Sequence, residues 1–474
     1  MEELDFYTGK LIYRDIEFTY VFDKKELRLI PPQGKRNEVR YTILMKKIGN
    51  GPAYTMAFPT MDEPYLVGRC NESGKAMIFI TKQGANIGSY NEVLFVDIAA
   101  YVVCKLDSHP VSRMSFTCPE LDCIHPVTQG FSCTIDHEQF NFNGILSVQT
   151  EDFNETTTEA KVFKVDGKDV SVTFGIARSF STKVGQPPLT LRSTMSFRFE
   201  PTEDYSFITR LWFIAKEFLQ FMCYRKNIFL PVVDLSTSAE EEKTRTFATF
   251  NMLDEIGEGE LETLRKGRYI KLSYLSGNEG CILNDIASRA LYTRHIPDTY
   301  VSGCSINAAR FVMITAAFEW EFKRLYPDGI TKSAETLAVE EVATTEIQRL
   351  IDNSTGDLKN KYKFLKKLIM SNSLQSEIVH VGNTLGEIID LFGKMLYSLN
   401  DTELLYSEMG KRLADQRNNY AHGNLDIDFI NKSLLDLVYI ERIVYAMQLK
   451  LYGVDGKNIQ KAINDLFRCN LIIQ

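Results

Sequence analysis

The hydrophobic pattern of this 474-residue chain changes at Ser276-Gly-Asn-Glu-Gly280. Before this stretch, short runs alternate between apolar and polar residues with a period of two, which indicates β-strands. After it, apolar residues recur every three or four positions, which indicates amphipathic helices. Glycine and asparagine between two such patterns are typical of a linker. We therefore predict an α+β protein, with a sheet-rich antiparallel β domain over residues 1–275 and an all-α bundle over residues 276–474.

The strand-like runs of the first part are rich in Val, Ile, Thr, Tyr and Phe. They include Glu17–Phe22, Val39–Leu44, Ala76–Ile80, Glu92–Val96, Thr246–Met252 and Arg268–Tyr274. The clearest hairpin pairs residues 160–165 with residues 170–174 through Asp166-Gly167, because Asp-Gly supplies the positive φ that a tight turn needs. One helix is predicted over residues 206–224, where apolar residues follow helical spacing and would pack on a sheet face.

The second part is predicted to consist of helices alone, and no internal repeat is visible. The predicted helices cover residues 281–294, 304–326, 333–352, 357–371, 376–399, 402–422, 428–452 and 457–468.

Composition restricts the classes of function. The net charge is −8 and the pI is near 5.5, which argues against coating nucleic acid with the whole surface and leaves room only for a local RNA contact. The acidic start Met1-Glu-Glu-Leu-Asp5 lacks the features of a secretory signal, and the apolar run 207–222 is interrupted by charges. Nine cysteines, an odd number, are typical of reduced thiols. We expect a cytoplasmic location.

Two motifs resemble ligand sites without matching their spacing. Residues 68–76 resemble a phosphate loop, but the glycines are one residue too far apart and Ala76 replaces the magnesium-binding hydroxyl, so we interpret them as a hairpin loop. The candidate zinc ligands are Cys118, Cys123, Cys133 and His137, with His125 between them. Their spacing is not that of a recognised zinc module, and buried core thiols are the alternative. We expect no cofactor.

The string Arg417-Asn-Asn-Tyr-Ala-His422 ends one of the predicted helices. Leu405, Met409 and Leu413 recur every four residues, and Arg417 is the next residue on the same stripe. A guanidinium on the inward edge of an apolar stripe needs either a carboxylate partner or a polar cleft.

His422 is expected at the C-terminus of that helix, because Gly423 is a typical left-handed stop. The helix dipole there favours an imidazolium and would raise the pKa of His422 towards the range useful for proton transfer. Five residues subtend about 500°, so Arg417 and His422 lie about 140° apart on an ideal helix. A twofold dimer would place two copies of each side chain around one cleft.

Two imidazoles and two guanidiniums suit the cleavage of RNA without a metal. One histidine accepts the 2′-OH proton, the other protonates the 5′ leaving oxygen, and arginine neutralises charge on the phosphoryl group. The alternative from the residues alone is a capping histidine beside an arginine salt bridge.

The Arg-Asn-x3-His string, with an amphipathic helix before it and another after it, resembles the signature of HEPN ribonucleases. The resemblance covers about residues 300–474. It implies that Arg417 and His422 are catalytic, that Asn418 orients the substrate and that the domain forms a homodimer. The segment 316–325 resembles the long first HEPN helix, where an acidic residue often supports the active site. Glu319 lies at helical spacing with apolar neighbours and is our candidate partner for Arg417.

A sheet-rich domain of about 270 residues before a HEPN domain is similar to the architecture of ApeA-type anti-phage proteins. That likeness implies RNA cleavage during abortive infection, with a phage-derived trigger and an N-terminal domain that senses or gates. Transfer RNA would be the substrate by analogy with the family. The alternative is a non-catalytic HEPN module that dimerises, with a β domain that binds a ligand or a protein.

Two further features could contact RNA. Tyr420 could stack on a base or pack inside the bundle. The most basic stretch of the chain contains Lys359, Lys361, Lys363, Lys366 and Lys367. It could follow an RNA backbone or form a solvated face, with Phe364, Leu365 and Leu368 expected on the buried side of the helix.

Overall fold

The fold is described from a computed structural model of the chain. It covers residues 5–48, 53–107, 109–135, 146–152, 156–230, 232–238, 244–253, 267–330, 334–370, 372–421, 429 and 432–473. Contacts between residues divide the chain into two compact units. Unit 1 comprises residues 1–266 and 279–288, and unit 2 comprises residues 267–278 and 289–474.

Unit 1 is built on antiparallel β-sheet, as the period-two pattern predicts. Its strands are β1 Tyr7–Tyr13, β2 Ile16–Phe22, β3 Glu26–Ile30, β4 Met45–Lys47, β5 Tyr54–Met56, β6 Tyr65–Cys70, β7 Ala76–Thr81, β8 Gly88–Tyr90, β9 Val93–Cys104, β10 Val111–Phe116, β11 Phe131–Ile135, β12 Leu146–Thr150, β13 Lys161–Val165, β14 Lys168–Phe180, β15 Leu189–Thr202, β16 Val232–Ser238 and β17 Thr244–Met252. Thirteen of them form one sheet, in the order β13-β14-β15-β10-β16-β17-β9-β3-β2-β1-β6-β7 with β8 beside β9. The pairs β4–β5 and β11–β12 form two small separate sheets.

Part of the large sheet closes on itself. Strand β7 pairs with β9 as well as with β6, so β9, β3, β2, β1, β6 and β7 form a ring of six strands. The strands alternate between buried and exposed residues, and the buried positions fill the inside of the ring. Aromatic side chains dominate this core, with the ring centroids of Phe22 and Phe79 5.3 Å apart and those of Phe22 and Tyr101 5.0 Å apart.

The remaining strands of the large sheet carry a helix on one face. The helices of unit 1 are α1 Arg36–Val39, α2 Pro119–Ile124, α3 Tyr205–Cys223 and α4 Glu279–Ala287. Asp204 caps α3 by accepting hydrogen bonds from the amides of its first turn. Phe218 of α3 packs against Phe174 of β14, and Phe207 packs against Phe199 of β15. This helix and the 160–174 hairpin, with positive φ at Asp166 and Gly167, are confirmed predictions.

Two predicted strands are wrong. Residues 40–44 form a short π-helix after α1, and Val39 and the adjacent pair Ile43 and Leu44 are buried, whereas a half-buried strand would bury only alternate residues. The strand predicted over residues 268–274 does not form. Its last residues belong to a 3-10 turn, Leu272–Leu275, whose first and last residues are both buried. The loop at residues 71–75 does join β6 to β7, so its interpretation as a hairpin loop is confirmed.

Unit 2 is helical. Its helices are α5 Tyr300–Gly303, α6 Ala308–Leu325, α7 Ala334–Asp352, α8 Gly356–Met370, α9 Leu374–Ser398, α10 Tyr406–Ala421, α11 Ser433–Leu451 and α12 Gly456–Phe467. No helix among the described residues is both long and apolar enough to cross a bilayer.

The predicted helices differ from these mainly at their ends. The helix predicted over residues 281–294 ends at Ala287 and packs in unit 1, whereas the sequence pattern assigned it to the helical domain. The helix predicted over residues 304–326 begins at Ala308, after Asn307, whose side chain caps it. The helix predicted from residue 402 begins at Tyr406. Helix ends are set by capping and tertiary contacts that periodicity does not report.

Helix α11 lies at the centre of unit 2. It packs against α6, α9, α10 and α12 and is buried on nearly all sides. Its buried polar residues connect it to its neighbours. Arg412 of α10 donates two hydrogen bonds to the carboxylate of Asp436, at 2.7 and 2.8 Å, and Tyr397 of α9 donates a third. Arg310 of α6 pairs with Glu441 at 2.7 Å.

Helices α9 and α10 approach each other closely. A Cβ atom on Gly410 would lie 2.8 Å from the Cα of Gln375, so any other residue there would push α10 away from the first turn of α9. The close approach places the N-terminal half of α10 against the first turn of α9.

The bidentate pair at Asp436 should be essential for the stability of unit 2. Asp436 is 0% exposed, and its replacement by Asn would leave the mostly buried guanidinium of Arg412 without an ionic partner. We expect Asp436→Asn to lower the free energy of unfolding by about 3 kcal/mol, measured by urea denaturation followed through the helical circular dichroism. The control is Glu346→Gln in the exposed Glu346–Arg349 pair, expected to change it by about 0.5 kcal/mol or less. Equal effects of the two substitutions would contradict the assignment.

Candidate active site

The last turns of α10 carry the motif that the sequence singles out. Met409 and Leu413 are buried on the inner face of this helix, as predicted, whereas Leu405 is 48% exposed and precedes the helix. Gln416 is fully buried one turn later, and the hydroxyl of Ser433 donates a hydrogen bond to Oε1 of its side chain. This buried row holds the helix in a register that leaves Arg417 at the edge of the bundle.

Arg417 is anchored on one side and exposed on the other. Its Nη1 donates a hydrogen bond to Oε1 of Glu319 at 2.5 Å, and this ion pair joins α10 to α6. The pairing of Arg417 with Glu319 is the contact that helical spacing predicted. The arginine side chain remains 40% exposed, against 22% for Glu319. A guanidinium has five N–H donors. Among the described residues Arg417 uses few of these donors, so most of them are available to a ligand.

A second carboxyl group lies in the same cluster. Glu377, in the first turn of α9, is 6% exposed, and its Oε2 is buried with no hydrogen-bond partner among the described residues. Burial, followed by the nearby charge of Glu319, raises the pKa of Glu377 to about 7, while Lys323 and Arg417 act in the opposite direction. A glutamate near a helix N-terminus would normally have its pKa lowered, so desolvation dominates here.

Sequence reasoning did not identify Glu377 or Lys323. An acidic residue in the first turn of a helix that starts at a Ser373–Ser376 capping box is an ordinary helix-start pattern. Nothing in that pattern shows that the side chain is buried against two other helices. The cluster of Glu319, Lys323, Glu377 and Arg417, called the charged cluster below, is defined only by the fold.

The charged cluster offers one exposed cation and one titratable proton close together. The guanidinium of Arg417 can bind an anion such as a phosphate, and Glu319 fixes its direction. Glu377 changes its charge around neutral pH, and in its ionised form it competes with Glu319 for Arg417. The arrangement therefore suits anion binding that depends on pH.

Comparison with protein-family models, with curated proteins and with solved structures finds no match.

The other residues of the motif differ in their surroundings. Asn418 is exposed next to Arg417. The ring of Tyr420 is 5% exposed and packs at 5.4 Å and 6.2 Å from the ring centroids of Phe311 and Phe429, so it is not available for base stacking in this conformation. His422 lies outside the described residues.

The basic stretch lies on α8. Lys361, Lys363 and Lys367 are exposed, while Lys359 and Lys366 are partly buried. Lys366 donates a hydrogen bond to Gln348 of α7 at 2.7 Å. The prediction that Phe364 and Leu365 face the core is wrong, since they are 62% and 45% exposed.

The candidate zinc ligands do not form a site in the described part of the chain. Cys118 is buried at the start of α2 and Cys123 is partly buried within it, whereas Cys133 is exposed on β11. His137 lies outside the described residues. Burial raises the pKa of the Cys118 thiol, which disfavours the thiolate that zinc requires. Over the described residues, no three His, Cys, Asp or Glu side chains are grouped so that they could hold a metal.

The buried Glu377 should make stability depend on pH. In the unfolded chain a glutamate loses its proton near about pH 4.3, whereas in the folded protein Glu377 keeps it up to about pH 7. The stability that the protonated Glu377 allows is therefore fully present at low pH, and it is lost as pH rises through this window. We expect Glu377→Gln to leave stability unchanged near about pH 4 and to raise it by about 3 kcal/mol at about pH 8.

The measurement is urea denaturation of wild type and variant at both pH values. The matched control is Glu387→Gln, an exposed glutamate on the same helix, which should show no difference between the two pH values. A Glu377→Gln effect that is the same at both pH values would contradict the buried titration.

Proposed function

We propose that this protein is a metal-independent RNA endonuclease of the HEPN type. The observation that carries the proposal is the state of Arg417, a guanidinium held by Glu319 on one side and 40% exposed on the other, five residues before His422. An arginine with a purely structural role would be expected to use more of its donors within the protein. Arg412, one turn and a half earlier on the same helix, does so.

The proposed reaction uses two copies of the motif. One His422 accepts the proton of the ribose 2′-OH, whose oxygen attacks the adjacent phosphorus. The other His422 protonates the departing 5′ oxygen, so the products are a 2′,3′-cyclic phosphate and a 5′-hydroxyl. Arg417 neutralises the charge that develops on the phosphoryl oxygens, and the exposed Asn418 orients the substrate. Glu319 is a positioning residue, because it contacts the guanidinium and not the reacting atoms.

The proposed biology follows from the resemblance described above. The protein would act in the cytoplasm as an anti-phage defence factor that cuts cellular RNA, with transfer RNA as the first substrate to test, and so causes abortive infection. Because an uncontrolled ribonuclease is toxic, the sheet-rich unit would sense a phage-derived trigger or gate the helical unit.

The alternative is a non-catalytic module that dimerises while the sheet-rich unit binds a ligand or a protein. The Arg417–Glu319 pair also favours this reading, since an ion pair between α10 and α6 has a structural use. Cleavage assays separate the two candidates.

RNA cleavage by purified protein in excess EDTA should be lost in Arg417→Ala and in His422→Ala. Arginine supplies transition-state charge stabilisation and histidine moves protons, so each loss should be about 100-fold or more. Products should carry 2′,3′-cyclic phosphate ends, read by end-specific labelling.

Lys411→Ala is the matched control, since Lys411 is an exposed cation on the same helix and should leave the rate unchanged. If the Arg417 and His422 variants cut at the wild-type rate, the proposed site is wrong. If wild-type protein neither harms the cells that express it nor cleaves RNA, even with a candidate trigger present, the non-catalytic interaction module is favoured.

A further inference from the structure

Helices α7 and α8 form a hairpin that extends from the rest of unit 2. They are joined by the short turn 353–355 and pack chiefly against each other among the described residues. The hairpin is inserted between α6 and α9. Its two ends meet at Gly329 and Asn372, where the amide nitrogen of the Asn372 side chain lies 3.3 Å from the position of a Cβ on Gly329.

The hairpin exposes large apolar side chains that the rest of the protein leaves uncovered. Their exposed fractions are 52% for Leu337, 70% for Val339, 67% for Val342, 38% for Leu350, 52% for Leu358, 62% for Phe364 and 45% for Leu365. On a helical wheel, residues 339 and 350 lie three turns apart on one side of α7, and residues 358 and 365 lie two turns apart on one side of α8. On each helix these residues lie about a quarter turn, in the same rotational sense, from the less exposed side that packs on the other helix. In an antiparallel hairpin the four residues therefore lie on the same side. We call this side the apolar face.

The two helices carry opposite charge. Helix α7 contains five carboxylates and one arginine, a net charge of −4, and α8 contains five lysines and one aspartate, a net charge of +4. Glu335 and Glu346 of α7 and Lys361 of α8 are exposed and lie within about 40° of Val339 or Leu365 on their helices, so they border the apolar face. Among the described residues no ion pair involves Glu335 or Lys361, and Glu346 pairs with the exposed Arg349 of its own helix.

A surface of this kind is complementary to itself. A twofold axis that lies in the apolar face and runs parallel to the helices places α7 of one copy beside α8 of the other, and α8 beside α7. Each contact then brings the two glutamates that border one apolar face towards the lysine that borders the other, whereas stacking like helices would bring equal charges together. We propose that the α7–α8 hairpins of two copies of this chain pair through their apolar faces into a four-helix bundle, with the acidic helix of each copy against the basic helix of the other.

The dimensions suit a stable contact. Helices of 19 and 15 residues are about 28 and 22 Å long. Pairing two such hairpins in the manner of a four-helix bundle covers the four residues of the apolar face with a packing geometry that is common for antiparallel helices.

RNA is a less suitable occupant of the hairpin. Phosphates drawn to the lysines of α8 would lie within about 10 Å of the net −4 charge on α7, which is inside the range of electrostatic interactions at physiological salt. The exposed Val and Leu side chains also offer no stacking surface to a base. The proposed pairing concerns how two copies associate, and it stands whether or not the protein cleaves RNA.

A charge exchange tests the pairing. One variant carries Glu335→Lys and Glu346→Lys, so the charges that border the apolar face are all basic, and the other carries Lys361→Glu, so these charges are all acidic. Each variant alone should dimerise about 100-fold more weakly than wild type or not at all, because like charges face each other. An equimolar mixture of the two should form a heterodimer with affinity near that of wild type, measured by sedimentation equilibrium.

The control Lys457→Glu reverses an exposed charge on α12 and should leave association unchanged. Circular dichroism checks that each variant is folded, and restoration on mixing excludes misfolding as the cause of dissociation. A wild-type protein that is monomeric at tens of micromolar, or variants that fail to associate on mixing, would overturn the proposal. A monomeric wild type whose affinity for single-stranded RNA falls in the Lys361→Glu variant would assign the hairpin to RNA instead.

Discussion

The carboxylate of Asp436 is the constraint on which the arrangement of unit 2 depends. It is completely buried on the central helix α11, so it must be neutralised, and Arg412 and Tyr397 provide three hydrogen bonds from two other helices. This requirement fixes the rotation and the axial position of α10. Arg417 follows five residues after Arg412, about 7.5 Å further along the helix. The position of the exposed guanidinium is therefore set by a buried contact that takes no part in the proposed chemistry.

The same helix uses two arginines in different ways. Arg412 is 21% exposed and is held in a bidentate contact by a carboxylate with no access to solvent. Arg417 is twice as exposed and makes one hydrogen bond to a carboxylate that is itself partly open to solvent. The first arrangement uses the directional donors of arginine to hold helices together, and the second leaves them free to bind an anion. Glu377 adds a neutral or negative group beside Arg417, so the field at the guanidinium changes with its protonation.

Periodicity predicted the parts of the protein that repeat a simple local rule. The change from period two to period 3.6 separated sheet from helix, and the Asp166-Gly167 turn and helix α3 followed from local signals. Helical spacing was also enough to pair Glu319 with Arg417. The short helix at residues 36–44 was missed because alternation over six residues does not distinguish a strand from a helix with one buried edge. Glu377 was missed for a different reason, since its burial depends on α6 and α10, which are distant in sequence.

The lysine-rich helix shows where a pattern gives the wrong answer for a physical reason. The apolar residues 364 and 365 lie at core-like spacing, yet they are exposed, because a two-helix hairpin has too little interior to cover every apolar side chain of both helices. Apolar residues at helical spacing indicate that one face of a helix will be buried, but they do not indicate which molecule buries it.

The way the hairpin is inserted has an evolutionary consequence. Its ends lie next to each other at residues 329 and 372, and Gly329, with a φ of +73°, already turns the chain there. The whole segment between these two points can be lost, lengthened or exchanged in a single genetic event without altering the path of α6 or α9. Lys323 and Glu377 lie on the helical turns that lead into and out of this segment. Variation in the segment can therefore diversify how such chains assemble while the residues around Arg417 keep their places.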